Sequence, residues 1–292
     1  MHDAMDLVPN KIINCLDKGF VEVVDVMPRL LPEGQTCDYA ICQMARLSYQ
    51  HGTKTVNEDK GLIRYLMRCQ HTSPFESIEI KLNVKMPIFV SRQFCRHRTS
   101  SLNEVSARYS VMKDEFYLPK PEDLRAQSKS NKQGSEGTIP ESDAEMYSNA
   151  IQQQCRDSYK WYTNMLEAGV TREQARMILP LNLYTQFYWK QNLHNMLHLL
   201  ALRMDAHAQY EIRVYANAIF DIVKHLAPWT IEAFDDYNIL RNAIKITSLE
   251  KDAFRNYTAE NAVTLPQIDS QNKRERSEWR QKATELGFTV PE

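Results

Sequence analysis

The feature that most constrains this chain is the run Ser77–Met86. Ile78, Ile80, Leu82, Val84 and Met86 are apolar, and Glu79, Lys81, Asn83 and Lys85 fill the places between them. A faultless two-residue period is a strand with one buried face and one wet face. Such a strand needs neighbours to pair with and an apolar layer to cover it. Pro87 lacks a ladder donor, so the strand stops there and Ile88–Arg98 begins something else. The β-branched run Val21–Met27 predicts a second strand, and the aromatic-rich Leu181–Trp189 a third.

Helices fill much of the rest. Asp38–Tyr49 and Glu58–Arg68 carry apolar residues at helical spacing, the second with Asn57 as its cap. Ser142 and Glu145 read as a capping box for a long helix closed by Gly169. Thr171 and Gln174 repeat that signal for a short helix ended by Pro180. Asn192 opens a helical stretch, broken near Met204–Ala206, that runs to Leu226 before Pro228. Lys120–Ile139 is polar and holds Gly134 and Gly137, which predicts an inserted loop near 120–140. Beyond about Leu240 the chain is charged and weakly periodic, and predicts one amphipathic helix on a tether. The expected organisation is a single domain over 1–240 with an extension, 241–292, of no assigned role. Strands and helices without a βαβ rhythm make the fold class α+β.

Charge narrows the function. The 292 residues carry 36 Lys+Arg and 37 Asp+Glu, a net charge of −1. A protein that grips long nucleic acid by its phosphates carries a basic excess, so no nucleic-acid partner is expected. Charge interrupts every apolar run before the roughly 18 residues of a membrane helix, so no membrane partner is expected either. The opening MHDAMDLVPNKII lacks the basic and apolar regions of a signal peptide, and the expected location is cytoplasmic. Cys15, Cys37, Cys42, Cys69, Cys95 and Cys155 form no C-x-x-C pair and are expected to be reduced structural residues.

The densest polar cluster follows the cleanest strand. Arg92–Arg108 reads RQFCRHRTSSLNEVSAR, with Arg92, Arg96, His97, Arg98, Asn103, Glu104, Ser106, Arg108 and no lysine. Lysine is the common surface cation, whereas the planar fork of arginine suits phosphates and ring carbonyls. A merely solvated basic loop fits poorly with that choice. His194 and His198 have the spacing of two metal ligands on one helix face, and His207 follows. Position 195 is Asn, however, and no acidic ligand accompanies them, so no metal is expected. His51 and His225 read as partly exposed histidines. Tyr184, Phe187, Tyr188 and Trp189 read as core aromatics rather than a stacking platform, and the KRER near the end as a solvated helix face.

Arg96-His97-Arg98, then seven residues, then Ser106 resembles the RHR-x7-S signature of the flavin-dependent thymidylate synthases. Asn103, Glu104, Ser106 and Arg108 match its fuller N-E-x-S-x-R form. The likeness extends upstream to His71–Glu76 and Pro87–Gln93, and downstream to Ala175-Arg176, Leu179–Tyr184 and Leu202–Gln209. It covers roughly Val21–Tyr237, interrupted by the polar insertion.

That resemblance implies a curved, mainly antiparallel sheet flanked by helices. It implies a homotetramer with its sites between subunits, and FAD as cofactor with NADPH and methylenetetrahydrofolate as co-substrates. The reaction implied is reductive methylation of dUMP to dTMP without a cysteine nucleophile, so neither Cys95 nor Ser106 is expected to attack the pyrimidine. Carried over residue by residue, Ser73, Arg96, His97, Arg98, Glu104, Asn192, His194 and His198 are implied to hold FAD, with His71 and Glu76 beside Ser73. Gln93, Arg96, Glu104, Val105, Ser106, Ala107, Arg108, Arg176 and Arg203 are implied to hold dUMP, and Arg203 to be catalytic. At His194 some family members carry arginine. The competing reading is a non-catalytic nucleotide- or RNA-binding protein that uses the same Arg92–Arg108 cluster.

Overall fold

The computed structural model describes residues 1–48, 56–129, 134–239, 244, 246–255 and 264–291. Its strands are β1 (His2–Asp3), β2 (Ile12–Cys15), β3 (Gly19–Met27), β4 (Leu30–Leu31), β5 (Glu79–Pro87), β6 (Ser101–Glu104), β7 (Arg125–Gln127), β8 (Ser135–Thr138) and β9 (Tyr184–Asn192). Its helices are α1 (Cys37–Leu47), α2 (Val56–Arg68), α3 (Ser73–Glu76), α4 (Ile88–Phe94), α5 (Glu141–Glu167), α6 (Arg172–Ala175), α7 (Leu193–Arg203), α8 (Tyr210–Leu226), α9 (Pro228–Phe234), α10 (Ser248–Arg255) and α11 (Lys273–Glu285). Two compact units result, Met1–Phe234 and Asp235–Glu292.

The first unit is built on a five-stranded sheet in the order β2-β3-β5-β9-β6, antiparallel at every pairing. With its helices this is an α+β fold. β5 does what its alternation predicts, burying Ile80, Leu82, Val84 and Met86 completely. Each such side chain contributes about 1.5–3 kcal/mol by leaving water. Leu82 lies opposite Trp189 and Val84 opposite Phe187, which makes the covered face continuous. On the wet face Lys81 lies opposite Lys190, an unfavourable pair in isolation. Lys190 turns instead to Glu79 at 3.3 Å, and Lys81 sits over the Tyr188 ring, 4.9 Å from its centroid.

The aromatic strand begins later than the sequence suggests. The carbonyls of Leu181 and Leu183 accept the first amides of α4, from Phe89 and Ile88, at 3.0 and 2.9 Å. They are therefore lost to the ladder, which starts at Tyr184. Tyr184, Phe187 and Trp189 are buried, as core aromatics should be, while Tyr188 is 47% exposed on the wet face.

α8 closes the covered face, lying against β2, β3 and α4 with Ile212, Tyr215, Ile219 and Ile222 buried at helical spacing. α5 closes a second cluster of Met112, Phe116, Cys155, Tyr162, Ala175 and Leu183. Buried Asp38 ties α1 to the start of α9. It accepts the amides of Trp229 and Thr230 at 2.8 and 3.1 Å and the Thr230 hydroxyl at 2.6 Å.

Several local expectations need correction. Helix α5 starts at Glu141 behind Pro140, so Ser142 falls inside the first turn and forms no capping box. Asn57 likewise lies within α2 rather than ahead of it. Within Lys120–Ile139 the described residues are not all loop: Pro121–Asp123 is a 3-10 turn, and β7 pairs antiparallel with β8, with a register shift between Arg125 and Gln127 and Gly137 inside β8 at a φ of +62°. The last helix is not alone on a tether. In the second unit α10 and α11 share a core of Ala253, Leu265, Ile268, Trp279 and Ala283. Cys69 and Cys95 are exposed rather than structural, while the other four cysteines are buried, and all six are free. Tyr49 and His51 lie outside the described residues.

Candidate active site

Helix α4 follows β5 without a loop, with Pro87 at its N-cap. Phe94 pins its far end, fully buried and edge-on to Trp189 at 4.6 Å between ring centroids. The chain then turns, the His97 amide donating to the Phe94 carbonyl at 3.0 Å. That turn splits the Arg96-His97-Arg98 triplet. His97 points inward and is only 7% exposed, whereas Arg96 and Arg98 are exposed. Among the described residues neither arginine has a carboxylate partner.

Helix α7 also starts straight from a strand. Asn192 caps it, its side-chain oxygen accepting the Asn195 amide at 2.9 Å. His194 and His198 lie along the helix, and Arg203 ends it. Arg203 Nε donates to His97 Nε2 at 3.1 Å, and its Nη2 donates to the Gln93 carbonyl at 3.4 Å. The Gln93 side-chain amide donates to Gln209 Oε1. The His198 ring stands edge-on to His97 at 6.1 Å. Burial first, then the charges of Arg203 and His198, push His97 down to about 4, so it is neutral at pH 7. Burial also lowers Arg203, but a guanidinium keeps its proton. The result is a half-buried cation held by neutral acceptors.

A second group gathers around the edge strand β6. Glu104 Oε1 accepts from the Thr185 hydroxyl, and the Val105 amide donates to the Gln186 carbonyl at 2.9 Å. Ser106 Oγ accepts the Arg108 amide at 3.3 Å, and the following turn places Ala107 against the α5 core. Arg108 Nε meets Glu173 Oε2 at 3.3 Å, while Arg176 Nε donates to the Glu173 carbonyl at 3.4 Å. Both arginines thus converge on one short helix, α6. Glu104 and Val105 line a cavity of 460 Å³ whose walls also carry Lys85, Lys113 and Thr185. Lys85 is held by Glu115 at 2.9 Å.

Of the residues singled out from sequence, Arg203, His97, Gln93 and His198 come together, and Glu104–Arg108 with Arg176 form the second group. Ser73 is exposed on α3, which packs on α7. Exposed His71 stacks edge-on with Tyr65 at 5.6 Å, and Glu76 accepts from Thr72 at 3.0 Å. Sequence reasoning missed Gln209, Glu173, Thr185, Lys85 and Lys113. Gln209 stood in a quoted motif without a role, and Lys85 was visible only as an outward position of β5. A larger cavity of 750 Å³, bordered by Phe89, Tyr117, Ile151 and Glu211, holds none of the expected site residues. Among the described residues no group of His, Cys, Asp and Glu is arranged to hold a metal.

A helix-backed antiparallel sheet of α+β class thus carries forked cations, a neutral histidine and paired amides beside it, a donor set suited to an anionic ligand. A family model described as thymidylate synthase complementing protein matches residues 29–229. A flavin-dependent thymidylate synthase of Dictyostelium discoideum is 48% identical over 266 residues, covering 91% of this chain and 84% of that one. One from Thermus thermophilus is 53% identical over 225 residues, 77% of this chain and 78% of its own. Among solved structures, a UMP/dUMP methylase of Streptomyces cacaoi bound with 5-Br dUMP superposes with a TM-score of 0.68 at 31% identity, covering 78% of this chain and 99% of that one. The chain belongs to the flavin-dependent thymidylate synthase family.

Proposed function

We propose that the chain makes dTMP from dUMP by reductive methylation, and that its two groups of site residues are complementary parts of one nucleotide–flavin site. The balance is dUMP, methylenetetrahydrofolate, NADPH and a proton giving dTMP, tetrahydrofolate and NADP⁺. With FAD bound and reduced by NADPH, this site would have the hydride source that completes the methyl group. The donor set suits FAD. Among the described residues Arg96 and Arg98 are exposed forks without carboxylate partners, as a diphosphate requires, with Ser73, Glu104, Asn192, His194 and His198 as further contacts.

Arg203 carries the reading. Carbon 5 of uracil becomes nucleophilic as negative charge gathers on the ring, and a fixed cation helps most at that moment. Arg203 is half-buried, and its hydrogen bonds run to His97 and the Gln93 carbonyl, both neutral. Its charge is therefore not cancelled before substrate arrives. Gln93 and Arg96 would orient the nucleotide, and Ser106, Arg108 and Arg176 with the amide of Ala107 would take its phosphate, while Val105, its amide held by the Gln186 carbonyl, would line the site. A thiolate route is disfavoured, because packing and then the Glu104 charge push the Cys95 thiol up. The alternative of a non-catalytic nucleotide- or RNA-binding protein finds no support among relatives that are thymidylate synthases.

In one chain Arg96, Arg98 and Ser73 are open to solvent. That supports a homotetramer in which each flavin is touched by more than one subunit. Free cysteines suit a reducing cytoplasm, the proposed location, and no described helix is long and apolar enough to cross a membrane. The test is Arg203→Ala in the FAD-loaded protein. Turnover to dTMP should fall about a hundredfold or more, the scale of one preorganised contact. Flavin reduction by NADPH without folate should persist, because it builds no charge on uracil. Normal turnover in that variant would remove Arg203 from catalysis.

A further inference from the structure

The middle residue of the Arg96-His97-Arg98 triplet is badly placed for a surface contact. It is 7% exposed, and its Nε2 is already taken by Arg203 Nε at 3.1 Å. Because Nε2 accepts, a neutral ring carries its proton on Nδ1. Along the same edge of the guanidinium, Nη2 reaches the Gln93 carbonyl at 3.4 Å. Gln93 is itself tied down through its side chain to Gln209, at the N-cap of α8. The end of α4 and the turn after it therefore meet the end of α7 at one guanidinium, and the start of α8 ties down Gln93 beside it.

We propose that His97 is a positioning residue for Arg203. With the Gln93 carbonyl steadied by Gln209, it fixes the guanidinium from behind using neutral acceptors only. The inference rests on the reading of Arg203 as the cation that faces uracil. A carboxylate in the place of His97 would hold the arginine more firmly, since arginine–carboxylate pairs are the stronger bonds. It would also spend the charge that the uracil ring needs. An imidazole accepts one N–H, orients the fork and leaves the charge whole. Burial, Arg203 and His198 all disfavour a proton on the second ring nitrogen, so the acceptor stays available at working pH. These bonds join parts of the chain far apart in sequence, one spanning 106 residues and another 116.

The variants are His97→Leu, which removes the acceptor, and His97→Gln, which can present a neutral carbonyl in its place. In FAD-saturated tetramer, His97→Leu should lower kcat for dTMP by about tenfold or more, as loss of a supporting partner does. The loss should fall on kcat more than on Kd for dUMP, and His97→Gln should recover most of the lost kcat. In an Arg203→Ala background His97→Leu should add nothing, because the group it acts through is gone. An equal loss in both backgrounds gives His97 an independent role and overturns the proposal. A normal dTMP rate in Arg203→Ala alone points elsewhere, to failure of the underlying reading of Arg203. If His97→Leu will not hold FAD, a spectroscopic arm decides on the flavin-free protein. Arginine-labelled protein should show one solvent-protected Nε–H that is absent in Arg203→Lys. That signal should survive in His97→Gln and be lost in His97→Leu. Survival in all the His97 variants overturns the proposal.

Discussion

Glu173 should work against substrate, and removing its charge should tighten dUMP. Without ligand, Arg108 Nε sits 3.3 Å from Glu173 Oε2, with both side chains more than half exposed. An exposed pair of this kind is worth about 0.2–1 kcal/mol, and binding a phosphate through Arg108 must first give that up. A carboxylate left beside a phosphate dianion adds repulsion of similar size, screened by salt. Arg176 is not affected in the same way, because its Nε bonds the Glu173 backbone carbonyl, which any substitution keeps. Glu173→Gln should therefore strengthen dUMP binding by about 0.5–1.5 kcal/mol, roughly two- to tenfold. kcat should be unchanged, since a phosphate contact is the same in ground and transition states. Titrating dUMP into the flavin-loaded protein and following the flavin spectrum at low and at 0.5 M salt measures it, the difference shrinking at about that high salt. Weaker binding in Glu173→Gln would mean that the carboxylate positions Arg108 rather than competing for it, and the argument would fail.

Three further outcomes can be checked. Cys95→Ser should keep dTMP formation within about tenfold, near 1.4 kcal/mol of barrier, whereas complete loss of turnover in a folded, FAD-bound variant would restore the thiol as nucleophile. Gly19→Ala should be destabilising: its Cβ would lie 1.9 Å from the Tyr215 hydroxyl and 2.7 and 2.8 Å from the carbonyls of Lys85 and Cys15. Displacing that hydroxyl breaks its 2.9 Å bond to Lys85, and overpacking adds about 1–3 kcal/mol, so an unchanged Tm would contradict the packing of α8 on the sheet. Burial pushes Asp38 up to about 6 from 3.8, against the hydrogen bonds from Thr230 and Trp229 that favour its charge. A raised carboxyl disfavours the ionised form in the fold. The penalty is absent below the unfolded value, grows as pH rises, and is complete above the folded one. The stability of Asp38→Asn relative to the parent should therefore improve by about 1 kcal/mol between pH 5 and pH 7 in urea titrations, and a pH-independent difference would sink the assignment.

What could be read in advance depended on how local the physics was. The β5 alternation is local: one face is buried, so each residue's type is dictated by its own position, and the strand appeared nearly whole. Asn192 is local too, an Asx cap whose partner lies three residues on. Caps failed where proline took over, as at Pro140, because its fixed φ starts a helix without a side-chain acceptor. The small second core was hidden because its apolar residues, from Ala253 to Ala283, are too sparse to set up a period. The site was legible as a set of residue types and illegible as a set of partnerships. No spacing rule indicates that Gln93 will find Gln209, that Arg108 will face Glu173, or that the middle residue of an R-H-R triplet turns inward while its neighbours turn out.

The spacing inside the signature has a geometric meaning of its own. Between His97 and Ser106 the chain turns and then runs as β6 along the edge of β9, with Ser101 opposite Lys190 and Glu104 opposite Phe187. Three strand steps carry it about 10 Å, at roughly 3.3 Å each. The motif's two ends are therefore spaced along the edge of the sheet. A paired strand holds them apart, with the Arg203 cluster at one end and the group of Ser106, Arg108 and Arg176 at the other. Exposed Leu102, Val105, Tyr109 and Val111 lie along this same stretch. A rigid spacer between two halves of a binding set is useful when each half completes a site with the other half from another copy. This supports the proposed tetramer, and it makes a sharp demand. At dUMP too dilute to occupy the weakened Arg108→Ala site, mixing Arg203→Ala protein with Arg108→Ala protein should raise dTMP formation above that of either alone through hybrid tetramers, because some sites then receive both intact halves. If the mixture stays as inactive as its components after subunit exchange, both halves belong to the same chain and the spacer argument is wrong.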